Sequence, residues 1–351
     1  MNTEKAVALL KEMIAITSVS RDEGKVADML QKYIESELGY SVNRCVHNLW
    51  IKSSFWSPNK PTLLLDGHID TVKPADGWET DPFSPIERDG KLFGLGSNDT
   101  GGSVVSLLSA FIELDKKEQP YNMIWLASTE EEVTGENGIR AVLTVLPHID
   151  VAIVGEPTGM QPATAERGLL VLDCKAVGKA GHAARNEGVN AIYKAIEDIN
   201  WFQNYQFPKT SEELGAVKMT VTGINAGTLH NVVPAECSFM VDIRINDCYT
   251  NRDIYSVVCE SVKSEVKARS FRHNSSHISK EHPIVRKCIT LGLKPFGSPT
   301  TSNQTAMEFP SLKLGPGESS RSHTANEYIE ISEIDNAIKT YIKILDGLNI
   351  G

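Results

Sequence analysis

Leu63-Leu64-Leu65-Asp66-Gly67-His68-Ile69-Asp70-Thr71-Val72 decides how this chain is read. Three leucines in a row after Pro61 describe a strand buried on both faces. The apolar run stops at a glycine, and two polar side chains follow at alternate positions. On a continuing strand His68 and Asp70 point to the same side. A neutral imidazole is the commonest biological metal ligand, and a carboxylate beside it fixes its tautomer and raises its basicity. Taken alone, such a pair is more often a core histidine bonded to its neighbour, so the rest of the chain has to decide.

The flanking segments repeat the pattern. Residues 3–16 set Ala6, Leu9, Leu10, Met13 and Ile14 at helical spacing with Thr3 as N-cap, and residues 23–38 read as a second amphipathic helix. Strand signals at 41–46 and 49–52 precede the buried strand, and Asp76-Gly77 and Asp89-Gly90 mark turns. A helix is expected at 103–114, after the glycine-rich stretch 94–102. A further buried strand at 122–127 ends in Ser128-Thr129-Glu130-Glu131-Glu132. After a helix near 137–146, the strand at 151–154 closes in Gly155-Glu156-Pro157. Buried strands alternating with helices describe an α/β sheet covered on both faces.

From residue 169 the pattern changes to a strand (169–177), a helix (190–205), strands at 216–222 and 238–245, a helix (251–266) and a last strand (268–273). That order, β-α-β-β-α-β, is the split unit of a ferredoxin-like sandwich. It reads as an insertion, because a helix at 283–293, a final buried strand and an amphipathic helix from Ser332, its N-cap, to 348 resume the first pattern. The expected architecture is therefore an α/β domain of residues 1–168 and 283–351 with an inserted ferredoxin-like α+β domain at 169–282.

Composition narrows the function. Hydrophobic residues make up 41% and charged residues 23% of the 351, the balance of a globular protein with a real core. A net charge of −10 gives no electrostatic case for binding nucleic acid or an anionic membrane. No apolar run approaches a membrane span, and Met1-Asn2-Thr3-Glu4-Lys5 leads straight into a helical pattern without signal-peptide features. The six cysteines are dispersed with no C-x-x-C pair, so buried free thiols and a reducing cytoplasm are expected.

Polar residues of one kind gather where the strands of the first domain end: His68 and Asp70, Asp99, Glu130-Glu131-Glu132, Glu156, and His323. Ligands of an open α/β sheet sit at the carboxyl ends of its strands. Clustered carboxylates repel one another unless a cation neutralises them. Two histidines and several carboxylates without a thiolate suit zinc, cobalt or manganese. A pair of such ions needs one bridging carboxylate, which still leaves carboxylates for each ion and for a base. Read singly, Asp99 is an ordinary turn aspartate and the glutamate run a solvated helix start. Gly94-x-Gly96 lacks the third glycine of a dinucleotide fingerprint.

These motifs, together with Gly181-His182, resemble those of the di-zinc aminoacylase/carboxypeptidase family, of the acetylornithine deacetylase and succinyl-diaminopimelate desuccinylase type and nearest the former. The resemblance runs in order from about residue 60 to 330. It implies a catalytic metal domain and a dimerisation or lid domain. His68 and Glu156 would hold one metal, Glu132 and His323 the other, with Asp99 bridging. Asp70 would orient His68, and Glu131 would be the general base toward water. It further implies that His182 stabilises the oxyanion, often in the partner subunit's site, and that Asn231 and Arg244 bind the substrate carboxylate. Two departures stand out: Thr100 alone occupies the place of the family's Met-Lys pair, and Ser302-Asn303-Gln304 replaces its common Ser-Asp-Ala.

The function so implied is a cytoplasmic, homodimeric amidohydrolase with two divalent ions, zinc first, cobalt or manganese otherwise. Its substrate would be a small N-acyl amino acid, N-acetyl- or N-succinyl-ornithine of arginine biosynthesis. A di- or tripeptidase, a succinyl-diaminopimelate desuccinylase and a non-catalytic metal-binding protein are the alternatives. Glu131 argues against the last, because a closed structural site has no use for a spare base.

Overall fold

The computed structural model describes residues 1–185 and 187–351. The chain divides into two compact units: Met1–Thr164 with Ile278–Phe296 and Ser302–Gly351, and Ala165–His277 with Gly297–Thr301. The insertion expected at 169–282 is thus residues 165–277, joined by a short return at 297–301.

In the first unit the strand Thr62–His68 lies between Asn122–Ser128 and Val151–Val154, parallel to both. Asn48–Lys52 joins antiparallel outside Asn122–Ser128, and Ser311–Lys313 pairs parallel with Val151–Val154. All three central strands are buried along their whole length. Their alternation assigns the two faces. Leu63, Leu65, Met123, Trp125, Val151 and Ile153 enter one apolar cluster, which the helices Thr3–Ile14, Gly24–Tyr33, Gly102–Leu114 and Ile331–Leu345 cover. Leu64, Ile124, Leu126, Ala152 and Val154 enter another, with Ile139 and Val142 of the short helix Ile139–Leu143. Both faces are covered, as the unbroken apolar runs require.

Two helix caps differ from expectation. Asn2, not Thr3, caps the first helix by accepting from the Lys5 N–H, which frees the Thr3 hydroxyl to bond Asp335. Glu330, not Ser332, caps the last helix, in a reciprocal box with Glu333.

The second unit is a four-stranded antiparallel sheet in the order Lys218–Ala226, Glu236–Ile245, Gly168–Val177, Glu265–Ala268. With the helices Ala191–Asn204 and Asn251–Ser261 this is the ferredoxin-like arrangement. Its second helix stops at Ser261, and the last strand starts inside the stretch expected to be helical. Asp198 provides the reason: its carboxylate takes the N–H groups of Lys263 and Ser264 and the Ser264 hydroxyl, so the chain leaves the helix there. All six cysteines are free, with Cys174, Cys237 and Cys288 buried, whereas Cys259 is exposed rather than in the core.

Glycines at strand ends bring the helix Gly102–Leu114, and the loop before it, close to the sheet. A Cβ on Gly155 would stand 2.6 Å from Ser103 Cβ, 2.9 Å from Leu107 Cδ1 and 3.3 Å from the Asp66 carbonyl. Gly155→Ala should therefore destabilise the first unit by about 1–3 kcal/mol, the usual cost of overpacking. Chemical denaturation that leaves the midpoint of the variant unchanged would contradict this packing.

Candidate metal centre

Three strand ends and two loops carry the polar cluster. Thr62–His68 ends on His68, so the strand does not continue to Asp70 as expected; the chain turns off after the histidine. The His68 Nδ1–H consequently donates to the Asp70 carbonyl at 2.9 Å, with the Asp70 carboxylate 3.5 Å away. That assigns Nε2 as the free nitrogen, and it faces Asp99 Oδ1 at 3.2 Å. Asp99 turns its other oxygen to the second histidine: Oδ2 lies 3.6 Å from His323 Nε2. His323 Nε2 also lies 2.9 Å from Glu132 Oε1. Among the described residues, His68, Asp99 and Glu132 form one group whose ligand atoms all lie within 4.8 Å of one another. Glu156 stays outside that group, but its charge acts on Glu131 and is itself acted on by Asp99.

The Asp70 carboxylate has a second task that the sequence does not reveal. Its two oxygens accept the N–H groups of Glu131, at 3.1 Å, and Glu132, at 3.2 Å, while Ser20 donates at 2.7 Å. The N–H of Glu130 goes to Glu23 at 3.1 Å. Three successive amides of the glutamate turn are thus each held by a carboxylate. Glu130, at φ +53°, makes the corner, and its own carboxylate accepts from Asn137. Glu131 keeps a side chain to which, among the described residues, no donor is bonded.

Electrostatics follow from burying so many acids together. Burial, then the charge of Glu156, raises the Glu131 carboxyl well above the usual range, against the pull of His68. Burial pushes Glu156 up to about 7, with Lys313 opposing and Asp99 adding. Burial would raise Asp99 as well, but the hydrogen bond and charge of His68 reverse this and hold it low. Burial works against a charged His68, yet Asp70 and Asp99 outweigh it and raise its proton affinity. The Glu132 carboxylate lifts His323 to about 9. Carboxylates withdrawn from water and facing imidazole nitrogens are a donor set that a divalent cation stabilises. The residues present fit a metal pair.

Both departures from the resembling pattern have a place here. The Thr100 hydroxyl donates to the His68 carbonyl at 2.9 Å, tying the Asp99 loop to the strand end. Asn303 is buried and donates to Asp66 and Ser128, each at 2.9 Å, so it braces the core beneath His68.

Three candidates belong to the second unit. His182 lies on a two-residue strand paired with Val232, and the Asn231 carbonyl accepts from the Ala183 N–H, so the two stand side by side on a short ribbon. Both are exposed. Arg244 is half-buried and makes a bidentate pair with Asp242, at 2.8 and 3.1 Å. Glu23 and Glu327 are buried acids of the site that no motif marked. Glu327 accepts the N–H groups of Gly96, Asn98 and Asp99, and burial with the charge of Asp99 pushes it up to about 8.

Over most of its length the chain is similar to known proteins. An acetylornithine deacetylase of Proteus mirabilis is 28% identical over 366 aligned residues, covering 94% of this chain and 93% of that protein. A succinyl-diaminopimelate desuccinylase of Nitratiruptor is 28% identical over 264 residues, covering 71% of each. The crystal structure of aminopeptidase PepT from Bacillus cereus covers 99% of both chains with a TM-score of 0.77; at 18% identity it attests the fold alone. Residues 64–347 match the profile of peptidase family M20/M25/M40, a span that holds every residue of the cluster except Glu23 and Ser20. This chain therefore belongs to peptidase family M20/M25/M40 and is a metal-dependent hydrolase of amide bonds.

Proposed function

We propose that the protein removes the acyl group from an N-acyl amino acid, N-acetyl- or N-succinyl-ornithine of arginine biosynthesis. The observation that carries the reading is Asp99, one carboxylate whose oxygens face two different histidines, with the Glu131 carboxyl close enough to feel the charges of His68 and Glu156. His68 and Glu156 would hold one ion and Glu132 and His323 the other, with Asp99 between them; zinc suits these donors, and cobalt or manganese also would. When bound, the ions polarise the amide carbonyl and acidify water.

The chain's own groups supply the rest. Glu131 takes the proton of the attacking water and returns it to the leaving amine, a task helped by a carboxyl whose surroundings raise its proton affinity. Asp70 fixes both His68 and the amides under Glu131, so base and ligand keep a set spacing. His182 stabilises the developing oxyanion, an interaction made mainly in the transition state. Asn231 and Arg244 grip the substrate carboxylate, Arg244 as a bidentate clamp that its pairing with Asp242 pre-orients. The enzyme works as a homodimer in the cytoplasm, where the six free thiols stay reduced. Tyr193, 69% exposed, and Ile196, 44% exposed, on the insert's first helix suit a contact with a second copy. Desuccinylation of a diaminopimelate precursor is the second reading, favoured by the similarity to an enzyme of that name.

The metal-loaded protein, assayed on acetyl- and succinyl-ornithine, succinyl-diaminopimelate and dipeptides, should prefer an acylated ornithine. A preference for dipeptides would overturn the deacylase reading, and one for succinyl-diaminopimelate would select the second.

Glu131→Ala should keep its metal while kcat falls by about 10²–10⁴, the worth of a positioned base. Glu132→Ala should lose metal as well as rate. Metal analysis giving the opposite pattern would exchange the two roles.

Glu131→Ala and His182→Ala chains, co-expressed in equal amounts, test the shared site. Random pairing makes about half of the dimers mixed, each with one intact site, so activity should return to about a quarter of wild type. Purified mixed dimers no more active than either parent would show that each site is built within one chain.

A further inference from the structure

Glu327 is 2% exposed. Its carboxylate accepts three main-chain N–H groups of one loop, and its charge also acts on His323. Oε1 accepts from Asn98 at 2.8 Å and Asp99 at 2.9 Å, and Oε2 from Gly96 at 3.1 Å. A small antiparallel sheet sets this contact. Tyr328–Glu330 pairs with Lys91–Phe93 so that Tyr328 opposes Phe93, which brings Glu327 level with Gly94, whose N–H donates to the Glu327 carbonyl at 3.1 Å. The loop that leaves this sheet is buried and irregular: Ser97 and Asn98 are 0% exposed, and Gly96 has φ +77°. Its amides have no ladder to join, and leaving them unpaired costs about 1–3 kcal/mol each.

Asn98 closes the other side. Its Nδ2 donates to the Glu318 carbonyl and the Ser322 hydroxyl, and its Oδ1 accepts from the Glu318 N–H at 3.0 Å. Glu318 and Ser322 flank the turn that ends in His323, and Glu327 lies four residues beyond it. One pair of side chains therefore ties the loop carrying Asp99 to the segment carrying His323 at both ends. Burying a carboxylate is expensive, and a neutral side chain would cost less if only packing were required. What the carboxylate offers is two acceptor oxygens, enough for three converging amides, where a carboxamide offers one.

We infer that Glu327, with Asn98, is a positioning residue that fixes Asp99 relative to His323 and thereby sets how tightly the ion between them is held. The inference rests on the two-ion reading above. Nothing in it requires Glu327 to touch an ion or a substrate.

The test is calorimetric titration of the chelated, full-length protein with zinc, beside Glu327→Gln, Asn98→Ala and Tyr341→Phe. In Glu327→Gln the carboxamide oxygen can serve Asn98 and Asp99, but its NH2 then meets the Gly96 N–H. The wild type should bind two ions. Glu327→Gln should keep one near its wild-type affinity and hold the other about 10–100-fold more weakly, the range for residues that orient metal ligands. Asn98→Ala should weaken the same ion, and it carries the test if Glu327→Gln does not fold. Tyr341→Phe removes a buried bond to the Leu314 carbonyl, away from the loop, and should lower the melting temperature with both affinities intact. Folded Glu327→Gln and Asn98→Ala proteins that bind both ions as the wild type does would overturn the clamp. A wild type that takes up fewer than two ions would instead overturn the two-ion reading on which the clamp rests.

Discussion

The Asp99 carboxylate is the constraint on which the site depends. Its two oxygens look toward two histidines, His68 at 3.2 Å and His323 at 3.6 Å, which stand 255 positions apart in the sequence. To serve both, Asp99 must be placed by its own loop and by two separate segments at once. The fold meets this with a sheet whose parallel strands end together, and with a glycine-lined approach that lets the helix Gly102–Leu114 and its preceding loop lie against those ends.

The loops around the strand ends are held chiefly by buried carboxylates. Glu23 and Asp70 hold the three amides of the glutamate turn, and Glu327 holds three amides of the Asp99 loop. Asp66, beneath His68, accepts from Asn303. Each of these acids is withdrawn from water at a cost that main-chain dipoles offset only in part. The accumulated negative charge favours cations in the middle of the cluster. Architecture and metal affinity are here consequences of one choice, to pin irregular backbone with carboxylates instead of with neutral groups.

The insert obeys a different logic. Its sheet buries one face against two helices, and alternation along Glu236–Ile245 separates Phe239, Val241 and Ile243 of its core from Asp242 and Arg244 on the other face. An arginine on that face needs a carboxylate partner, and Asp242, two residues away on the same strand, provides one within the strand itself. The pair is a bidentate ion pair within one strand, at 2.8 and 3.1 Å.

Much of this was legible from the amino-acid sequence, because it depends on local pattern. Unbroken apolar runs at Leu63–Leu65 and Val151–Val154 require a sheet covered on both sides, and the polar residues that follow such runs fall at or just past the strand ends. That places His68, the glutamate turn and Glu156 along one edge. The β-α-β-β-α-β order of the insert follows from periodicity as well. Tertiary structure alone decided which acid holds which amide. Nothing in the spacing of Glu23, Asp70 or Glu327 indicates that each accepts main-chain N–H groups from loops 61 to 231 residues away. It also turned Asn303 inward to Asp66, and it stopped a helix at Ser261 because Asp198, on another helix, captures the next amides. Side-chain to main-chain bonds between distant segments leave no periodic trace in a sequence, since an acid that pins a loop and one that faces solvent are the same letter until the chain is folded.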